Sequence, residues 1–398
     1  MAAIDKASIS KAVSERIGHA AVPQFQVTYP DGATETFGDP SASDGVVFTI
    51  DLKTDTGAAA LGSLDEYKLA MAYLEGDIDL DGDLLKLLDM RDYLTDHHPW
   101  LQFVRFALPF VRGQVKNDND LVPKHYNHGN AFYFAFLDRA HRLYSQALYA
   151  DDDEPLEVAA RRKLDKIWES CRLQPGSRVL DIGAGWGSFS NYAASRGAEV
   201  TMLTISTEQL AFLKNLAATS EHGANMTPIL RNIYEFQSEK KFDAVVLLGV
   251  MEHLPHYARF LRHVGQILRD DGRIYMDFAA NRRKYASSTF SHQHVFEGNH
   301  SLVHMPGLVA AVNQSDFEIV TIDNDRHSYF LTLRQWARNL EEATPKLLET
   351  FSAKTLRLFR LYLWGTAQCM GPSGKIESYR VVVQKSARRP SAFIGVES

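Results

Sequence analysis

The segment RVLDIGAGWGSFS, residues 178–190, constrains the fold of this chain more than any other part of it. Its apolar start predicts a buried parallel strand, and the amphipathic run Ser188–Arg196 predicts a helix. Between them stand three glycines at alternate positions, Gly183, Gly185 and Gly187. Glycine allows a tight turn and lets a ligand approach the backbone closely. A strand, a glycine turn and a helix in this order indicate a cradle for a nucleotide.

Asp181 stands at the predicted end of the strand, and the spacing of the turn is D-x-G-x-G-x-G rather than the dinucleotide pattern G-x-G-x-x-G. This motif resembles that of S-adenosylmethionine-dependent methyltransferases. The resemblance implies that the turn accepts the amino-acid end of S-adenosylmethionine, with Asp181 binding its ammonium group directly or through water. The alternative for Asp181 is a helix cap or a turn former.

The composition fits a globular protein with more than one core. The chain has 398 residues, of which 45% are hydrophobic and 23% charged, which favours one large and one small domain. A net charge of −6 argues against a general nucleic-acid binder. The two cysteines match neither a zinc nor a disulfide spacing, which favours a reducing compartment. Neither a signal peptide nor a membrane span of roughly 18–20 apolar residues is evident, so we expect a cytoplasmic protein that can still lie on a membrane.

Strands and helices alternate regularly from the glycine turn onward. Together with the methyltransferase motif, this pattern predicts an α/β fold with the doubly wound, seven-stranded sheet of class I methyltransferases, mostly parallel with an antiparallel last strand. Ligands of such sheets bind at the carboxyl ends of the strands. The strands after the first are expected within residues 198–206, 226–234, 241–253, 272–278, 316–324 and 379–386.

A polar connection at residues 105–124 divides the chain. We expect a smaller N-terminal α+β domain over residues 1–115, which would contact lipid, a membrane or a second copy in a homodimer. A methyltransferase domain would follow over 116–398, with additions at 280–314 and 331–371 that cover the substrate.

Shorter patterns complete the outline of these two domains. Two β-like runs lie within residues 24–52, and helices are expected over 63–95. A helix that begins near His125 should turn Phe132, Phe136 and Leu137 inward and end at Tyr144-Ser145.

Two clusters of possible metal ligands do not predict a metal site. The alternate aspartates of residues 77–83 lack the glycine and the glutamate of a calcium loop, and favour a solvated turn and helix start. The histidines of residues 291–304 lack a cysteine or an acid at ligand spacing. They favour a polar loop or a lid that faces the substrate.

Polar residues follow two of the predicted strands at the ligand edge. Thr204, Ser206 and Gln209 offer hydroxyl and amide groups to a ribose and to methionine, although this sequence also suits a helix N-cap. Glu252 and His253 follow the most apolar strand, a position that favours function. The alternative for His253 is a structural histidine with satisfied hydrogen bonds.

The wider pattern resembles one family. Segments occur in its order and spacing as HYNHGNAFY, LDRAHRLYS, TISTEQ, GVMEHL and HSYFLTLRQW. They are similar to the cyclopropane-fatty-acid-phospholipid synthase family, over roughly Gly62 to Ser386. The resemblance implies that Glu252 and Tyr329 line the reaction centre and that Asn232 lies near the adenine. It further implies contacts with S-adenosylmethionine by Tyr144, Ser145, Gly183, Gly185, Thr204 and Gln209.

Two departures from that family bear on the chemistry. Gln146 stands where the family has a cysteine, and Asp277 where it has a histidine. In the family these positions, with the glutamate and the tyrosine, hold a bicarbonate that acts as base. Asp277 beside Glu252 would repel such an anion, so we do not expect bicarbonate to bind. Asp277, Glu252 or His253 would then take the proton, which favours a methylene or methyl-branched product over a cyclopropane.

The substrate is expected to be a lipid. Residues 331–390 contain eleven Lys or Arg against four Glu, and Leu358, Phe359 and Trp364 lie among them, which suits contact with anionic head groups. The alternative is a solvated helix face over its own core. We therefore expect methyl transfer to a double-bond carbon in an unsaturated acyl chain of a phospholipid by a peripheral membrane enzyme. The alternative activity is N-methylation of a small amine on the same scaffold.

Overall fold

The computed structural model describes residues 6–18, 20–96, 129–282, 289–295, 301–371 and 373–386. The described residues form two compact units. The first unit comprises those within 1–106, 288–295 and 337–369, and the second comprises the others. The predicted boundary at residue 115 lies outside the described residues. The structure differs from the prediction in grouping 337–369 with the N-terminal unit instead of the methyltransferase domain.

The bounds of the elements are as follows. The strands are β1 (Phe25–Thr28), β2 (Thr34–Phe37), β3 (Phe48–Leu52), β4 (Ile78–Gly82), β5 (Arg178–Ile182), β6 (Glu199–Thr204), β7 (Met226–Leu230), β8 (Phe242–Leu248), β9 (Leu268–Asn281), β10 (Val303–His304), β11 (Phe317–Asn324) and β12 (Glu377–Lys385). The helices are α1 (Lys6–Ile17), α2 (Asp55–Ser63), α3 (Glu66–Glu75), α4 (Leu84–Asp89), α5 (Asn130–Phe134), α6 (Leu156–Ser170), α7 (Ser188–Ser195), α8 (Thr207–Thr219), α9 (Tyr257–Ile267), α10 (Thr289–His294), α11 (Met305–Asn313), α12 (Arg326–Leu347) and α13 (Ala353–Met370). Short 3-10 turns lie at Met90–Tyr93, Gly223–Asn225, Ile233–Glu235 and Met251–His253.

The first unit contains a four-stranded sheet in the order β2-β1-β3-β4. Strand β1 pairs antiparallel with β2 and parallel with β3, which pairs antiparallel with β4. The two predicted β-like runs are thus β1 to β3. The aspartate-rich segment of residues 77–83 was predicted to be a solvated turn and helix start; it contains β4, and its last residue, Asp83, caps α4. There Ile78 enters the core while Asp79 forms ion pairs with Lys53 and Arg357.

The second unit contains the predicted α/β sheet, in the order β11-β12-β9-β8-β5-β6-β7, with β10 beside β9. The strands from β9 to β7 pair in parallel, and β12 pairs antiparallel with both β9 and β11. Successive side chains of a strand enter opposite faces of a sheet. Accordingly Val179 packs in one hydrophobic core with Val246, and Leu180 packs in the other with Val245. Apolar layers therefore cover both faces of β5 and leave its end to carry the site.

The predicted helix before residue 145 is much shorter in the structure. Within the described residues it ends at Phe134, although Phe132, Phe136 and Leu137 are buried as predicted. The buried carboxylate of Asp138 accepts hydrogen bonds from the N–H groups of His141 at 2.5 Å and Leu143 at 2.7 Å. A side chain that binds nearby backbone in this way competes with the helix. Tyr144 and Ser145 consequently lie in an irregular segment.

The basic, apolar stretch near the C-terminus is largely used inside the protein. Helix α13 forms ion pairs from Lys354 to Glu75, from Arg357 to Asp79 and from Arg360 to Glu341. Its apolar side chains Phe359, Leu363 and Trp364 are buried. The part of the stretch that forms α13 thus has partners for these charges and apolar groups within the protein, and contact of residues 331–390 with lipid stays a prediction. Among the described helices, none combines the length and apolar character needed to cross a membrane.

Arg357 provides a test of how α13 is anchored. Its guanidinium donates to the carbonyl oxygens of Tyr73 and Ile78, each at 3.0 Å, as well as to Asp79. We expect Arg357→Ala to lower the free energy of unfolding by about 1–3 kcal/mol, because these acceptors lose their donor. Denaturant unfolding followed by circular dichroism measures the change. The exposed Lys346→Ala is the matched control, and equal stability of the two variants would contradict the assignment.

Candidate active site

A cavity lies at the carboxyl ends of the parallel strands of the second unit. The segments that follow β5, β6, β7 and β8 all contribute to its lining, and so does the irregular segment Arg142–Ser145. Strand β5 is the point at which the sheet continues in both directions, to β6 and to β8. Such a switch point is where open α/β sheets bind ligands.

Most of the predicted cofactor residues line this cavity, and His253 lines it as well. The predicted residues found there are Tyr144, Ser145, Asp181, Gly183, Gly185, Thr204, Ser206, Gln209 and Asn232. Gly187, Glu252, Asp277 and Tyr329 lie outside this lining.

The three glycines of the turn serve different purposes. All have positive φ, at +69° for Gly183, +56° for Gly185 and +75° for Gly187. A Cβ on Gly187 would lie 2.6 Å from Leu216 Cδ2, so this glycine permits the packing of α8. A contact of Gly187 with the cofactor stays a prediction. A Cβ on Gly185 would meet no atom closer than 3.9 Å, so a ligand can approach the backbone there.

Asp181 is a buried acid that faces the cavity. Its Oδ2 accepts a hydrogen bond from Ser190 Oγ at 2.6 Å, and the cap position of α7 is occupied by Gly187. The alternative role as a helix cap is therefore not the one observed. Burial raises the pKa of Asp181 to about 7. A cationic group bound beside it would hold it ionised, which is the chemistry expected for an ammonium ligand.

The polar residues after β6 form a small network. Thr204 Oγ1 donates to Gln209 Oε1 at 2.8 Å, which leaves the Gln209 amide nitrogen as the free donor end of that side chain. Ser206 Oγ accepts from Gln209 N at 3.3 Å and caps α8, so the capping alternative is realised here. Asn232 likewise caps the turn Ile233–Glu235. These residues combine a local structural role with a position on the cavity.

Glu252 is the second buried acid. Its Oε1 accepts from Ala279 N at 2.7 Å, and its Oε2 has no hydrogen-bond partner among the described residues. The pKa of Glu252 is raised to about 7, chiefly by burial and also by the nearby charge of Asp277, while the hydrogen bond from Ala279 N and the charge of Lys163 oppose the rise. A buried carboxyl with an open oxygen and a pKa near neutrality is suited to accept a proton.

Asp277 differs from the expectation of an unpaired carboxylate. It is completely buried, its Oδ2 lies 2.7 Å from Lys163 Nζ, and its Oδ1 accepts from Gly249 N at 3.0 Å. Burial raises the pKa of Asp277 and lowers that of Lys163, while the attraction between the two charges opposes both shifts. Asp277 is therefore committed to an ion pair and does not act as the unpaired repulsive charge predicted from the sequence.

Lys163 was missed because it lies within a helix, whereas ligand-binding residues are expected after the carboxyl ends of the strands. Helix α6 buries one stripe of side chains, and Lys163 is in it with Ala159, Ala160, Leu164 and Ile167. A lysine at an apolar position of such a stripe is almost never buried without a partner. A lysine at an apolar position of an amphipathic helix is therefore the sequence signal that would have indicated a buried, paired Lys163.

Aromatic side chains surround one side of the cavity. Tyr144 and Trp186 both line it, with ring centroids 5.8 Å apart, and Trp186 Nε1 donates to Asn130 Oδ1 at 2.8 Å. Trp336 packs on Tyr144 at 5.4 Å. Aromatic faces attract cations. This cluster is thus suited to a sulfonium group, and sequence reasoning identified only Tyr144 in it.

Tyr329 lies in the first turn of α12 and is partly exposed. Its neighbours Ser328 and Thr332 accept hydrogen bonds from the backbone N–H groups of Tyr149 and Ala147. These bonds fix α12 against the segment that carries Tyr144 and Ser145. A role for Tyr329 at the reaction centre stays a prediction.

The turn glycines allow a paired test of the cavity. We expect Gly185→Ala to weaken binding of S-adenosylhomocysteine at least ~10-fold in calorimetry, because its methyl group occupies ligand space. The positive φ should cost only about 1–2 kcal/mol of stability. Gly187→Ala should lower the free energy of unfolding more than Gly185→Ala does, because its methyl group would clash with Leu216. The folded fraction of Gly187→Ala should bind S-adenosylhomocysteine with unchanged affinity. Equal losses of affinity in both variants would contradict this assignment.

The sequence of this chain is similar to those of known proteins. The model of the mycolic acid cyclopropane synthetase family matches residues 114–377, and that of a domain of unknown function matches residues 13–95. A sphingolipid C9-methyltransferase of Komagataella phaffii is 27% identical, over 79% of this chain and 68% of that protein. A probable fatty acid methyltransferase of Pseudomonas putida is also 27% identical, over 80% of this chain and 82% of that protein.

Solved structures show the same fold. The mycolic acid cyclopropane synthase CmaA1, complexed with SAH and CTAB, has a TM-score of 0.62 at 24% identity, over 68% of this chain and 98% of that one. Coclaurine N-methyltransferase, bound to N-methylheliamine and SAH, has a TM-score of 0.64 at 16% identity, over 80% and 99%. The second unit therefore has the class I methyltransferase fold, as predicted.

Proposed function

Because this chain belongs to the mycolic acid cyclopropane synthetase family, we propose that it methylates a double-bond carbon in an unsaturated acyl chain of a phospholipid. It is an S-adenosylmethionine-dependent methyltransferase. The substrate class is inferred from Glu252, a buried carboxyl group with one oxygen that has no hydrogen-bond partner among the described residues. Such an oxygen can accept a proton from carbon in a site shielded from water. The printed names of the relatives, a sphingolipid and a fatty acid methyltransferase, support a lipid.

The residues of the cavity fit S-adenosylmethionine. Gly185 allows close approach to the turn, Asp181 suits an ammonium, and the aromatic faces of Tyr144 and Trp186 suit a sulfonium. Gln209 and Asn232 would bind the nucleoside. When bound, the sulfonium supplies a strongly electrophilic methyl group.

An alkene is a weak nucleophile, so the protein must align it and exclude water. Orientation of this kind can supply several kcal/mol of the barrier. The π electrons of the alkene form the new bond to the methyl carbon, and the electrons of the broken S–CH₃ bond remain on sulfur. The cation left on the neighbouring carbon is stabilised by the carboxylate of Glu252 and by aromatic faces.

Glu252 is the preferred proton acceptor in this proposal. Asp277 is committed to Lys163 and Gly249, whereas Glu252 Oε2 is open. Loss of a proton from a carbon next to the cation leaves a methyl-branched alkene. A methylene group forms when a hydride first shifts from the methylated carbon to the cation and the new methyl group then loses a proton. Loss of a proton from the new methyl group without that shift closes a cyclopropane. The side chain accepts a proton without bicarbonate, so we favour the alkene. Since Lys163 balances Asp277, this preference rests on Glu252 rather than on repulsion by Asp277.

The substrate implies contact with a membrane surface. An acyl chain within a bilayer is reached only by a protein that lies against it, and we propose peripheral association of a cytoplasmic enzyme, with the first unit as the contact for lipid or for a second copy. Helix α13 does not supply that contact, since its arginines and its apolar face are occupied.

N-methylation of a small amine is the second candidate. His253 lines the cavity, and a neutral imidazole there would take the proton that an amine releases on methylation. The lipid is favoured because an amine brings its own lone pair and needs no buried carboxylate to stabilise a carbon cation.

A single assay separates these candidates. The protein is incubated with labelled S-adenosylmethionine and with vesicles of oleoyl or fully saturated phospholipids, in parallel with a mixture of small amines. We expect label only in the oleoyl chains, with a gain of one CH₂ unit in the mass spectrum. The product should take up hydrogen under mild conditions, and added bicarbonate should not raise the rate. Label in an amine alone would refute the lipid assignment.

Glu252 predicts the pH dependence. A base must be deprotonated to work, so kcat should rise with pH up to about 7, the pKa to which burial raises this group, and be level above it. We expect Glu252→Gln to lower kcat by about 10²–10⁴-fold and to abolish that rise. Glu208→Gln, an exposed acid on α8, is the matched control. An unchanged profile in Glu252→Gln would exclude it as the base.

A further inference from the structure

Lys163 is a completely buried lysine to which neither the sequence nor the family comparison gave a role. Removing an ammonium group from water costs several kcal/mol, so it persists only with good partners. Its Nζ has two, the hydroxyl of Ser145 at 2.6 Å and the carboxylate of Asp277 at 2.7 Å. Lys163 thus joins a cavity-lining side chain to a buried acid behind it.

The contact with Ser145 determines the direction of that hydroxyl. A lysine ammonium donates hydrogen bonds and accepts none, so Ser145 Oγ must be the acceptor. The proton of the hydroxyl then points away from Lys163. Ser145 lines the cavity, in a segment whose backbone lies against Gly249, where the ideal Cβ of Gly249 would be 3.9 Å from Ser145 Cβ. The hydroxyl proton is therefore left for an acceptor other than Lys163, and Ser145 is one of the residues that line the cavity.

We propose that Lys163 is a positioning residue that orients the Ser145 hydroxyl to donate to the carboxylate of the amino-acid end of S-adenosylmethionine. This rests on the cofactor cavity assigned above. A hydroxyl donor backed by a buried ammonium complements an anion, and it stands on the same cavity as Asp181, which complements a cation. The two groups together match the two charges of an amino acid.

Asp277 lowers the free-energy cost of burying the charge of Lys163. Its charge balances that of Lys163, and its other oxygen is bound by Gly249 N. Arg380 on β12 and Asp325 before α12 also face the pair and balance one another, with 3.5 Å between Arg380 Nη1 and Asp325 Oδ2. Because its charge is balanced, Lys163 affects the cavity by orienting the Ser145 hydroxyl and not by adding a net positive charge.

The test compares two ligands that differ at the amino-acid end. S-adenosylhomocysteine carries the carboxylate, and methylthioadenosine lacks the whole amino-acid group. Calorimetry with both is carried out on the wild type, on Ser145→Ala and on the double variant Lys163→Met/Asp277→Asn, in which no buried charge is left alone. Lys166→Met, an exposed lysine on the same helix, is the control.

We expect Ser145→Ala and the double variant each to weaken S-adenosylhomocysteine by about 10- to 100-fold, as for loss of a hydrogen bond to a charged group. Methylthioadenosine should bind all variants alike. The triple variant Ser145→Ala/Lys163→Met/Asp277→Asn should bind S-adenosylhomocysteine no more weakly than Ser145→Ala does. Ser145→Ala leaves the ion pair intact, so it carries the ligand comparison even if the double variant does not fold.

Equal losses for both ligands would show a merely structural role and overturn the inference, as would unchanged affinity in Ser145→Ala. A triple variant in which the losses add would separate Lys163 from Ser145 and overturn it too. A wild type that binds neither ligand would instead refute the cofactor cavity of the proposed function.

Discussion

The ion pair between Lys163 and Asp277 joins the elements on which the site depends. A buried charge is strongly destabilising unless an opposite charge lies beside it. Helix α6 and strand β9 must therefore pack so that Lys163 and Asp277 are adjacent. Each partner has hydrogen-bonding capacity left, and each uses it on the cavity. Lys163 binds Ser145, and Asp277 binds the N–H of Gly249, in the turn that leads to Glu252. Loss of one partner therefore disturbs both the cofactor side and the reaction side.

The parts of the fold that the sequence predicts are those set by local periodicity. The apolar run before the glycine turn and the 3.6-residue stripe of α6 specify a strand and a helix whatever lies elsewhere. Asp181, Thr204 and Gln209 line one cavity because parallel strands end at one edge of the sheet, and this is the rule from which the sequence predicts a site there.

The parts that it missed depend on contacts between distant residues. Strand β4 was missed because Asp79, one of its two aspartates, forms ion pairs with Lys53 and Arg357, which are far from it in the sequence. The helix before Tyr144 was predicted to be too long. The carboxylate of Asp138 accepts hydrogen bonds from nearby backbone N–H groups, and these bonds compete with those of a helix. Asp277 was interpreted as an isolated charge since nothing local indicates Lys163 as its partner.

Asp181, Asp277 and Glu252 are buried acids near one edge of the sheet of the second unit, and their surroundings separate them chemically. Asp181 has a hydroxyl partner and an open side toward the cavity, which suits a bound cation. Asp277 has a permanent cation, Lys163, and is fixed as a structural anion. Glu252 has one backbone donor and one oxygen without a hydrogen-bond partner among the described residues, so its carboxyl group, whose pKa is raised toward neutrality, has a place for a proton. Identical functional groups acquire different tasks through their partners, and this difference favours Glu252 as the group that exchanges a proton with the substrate.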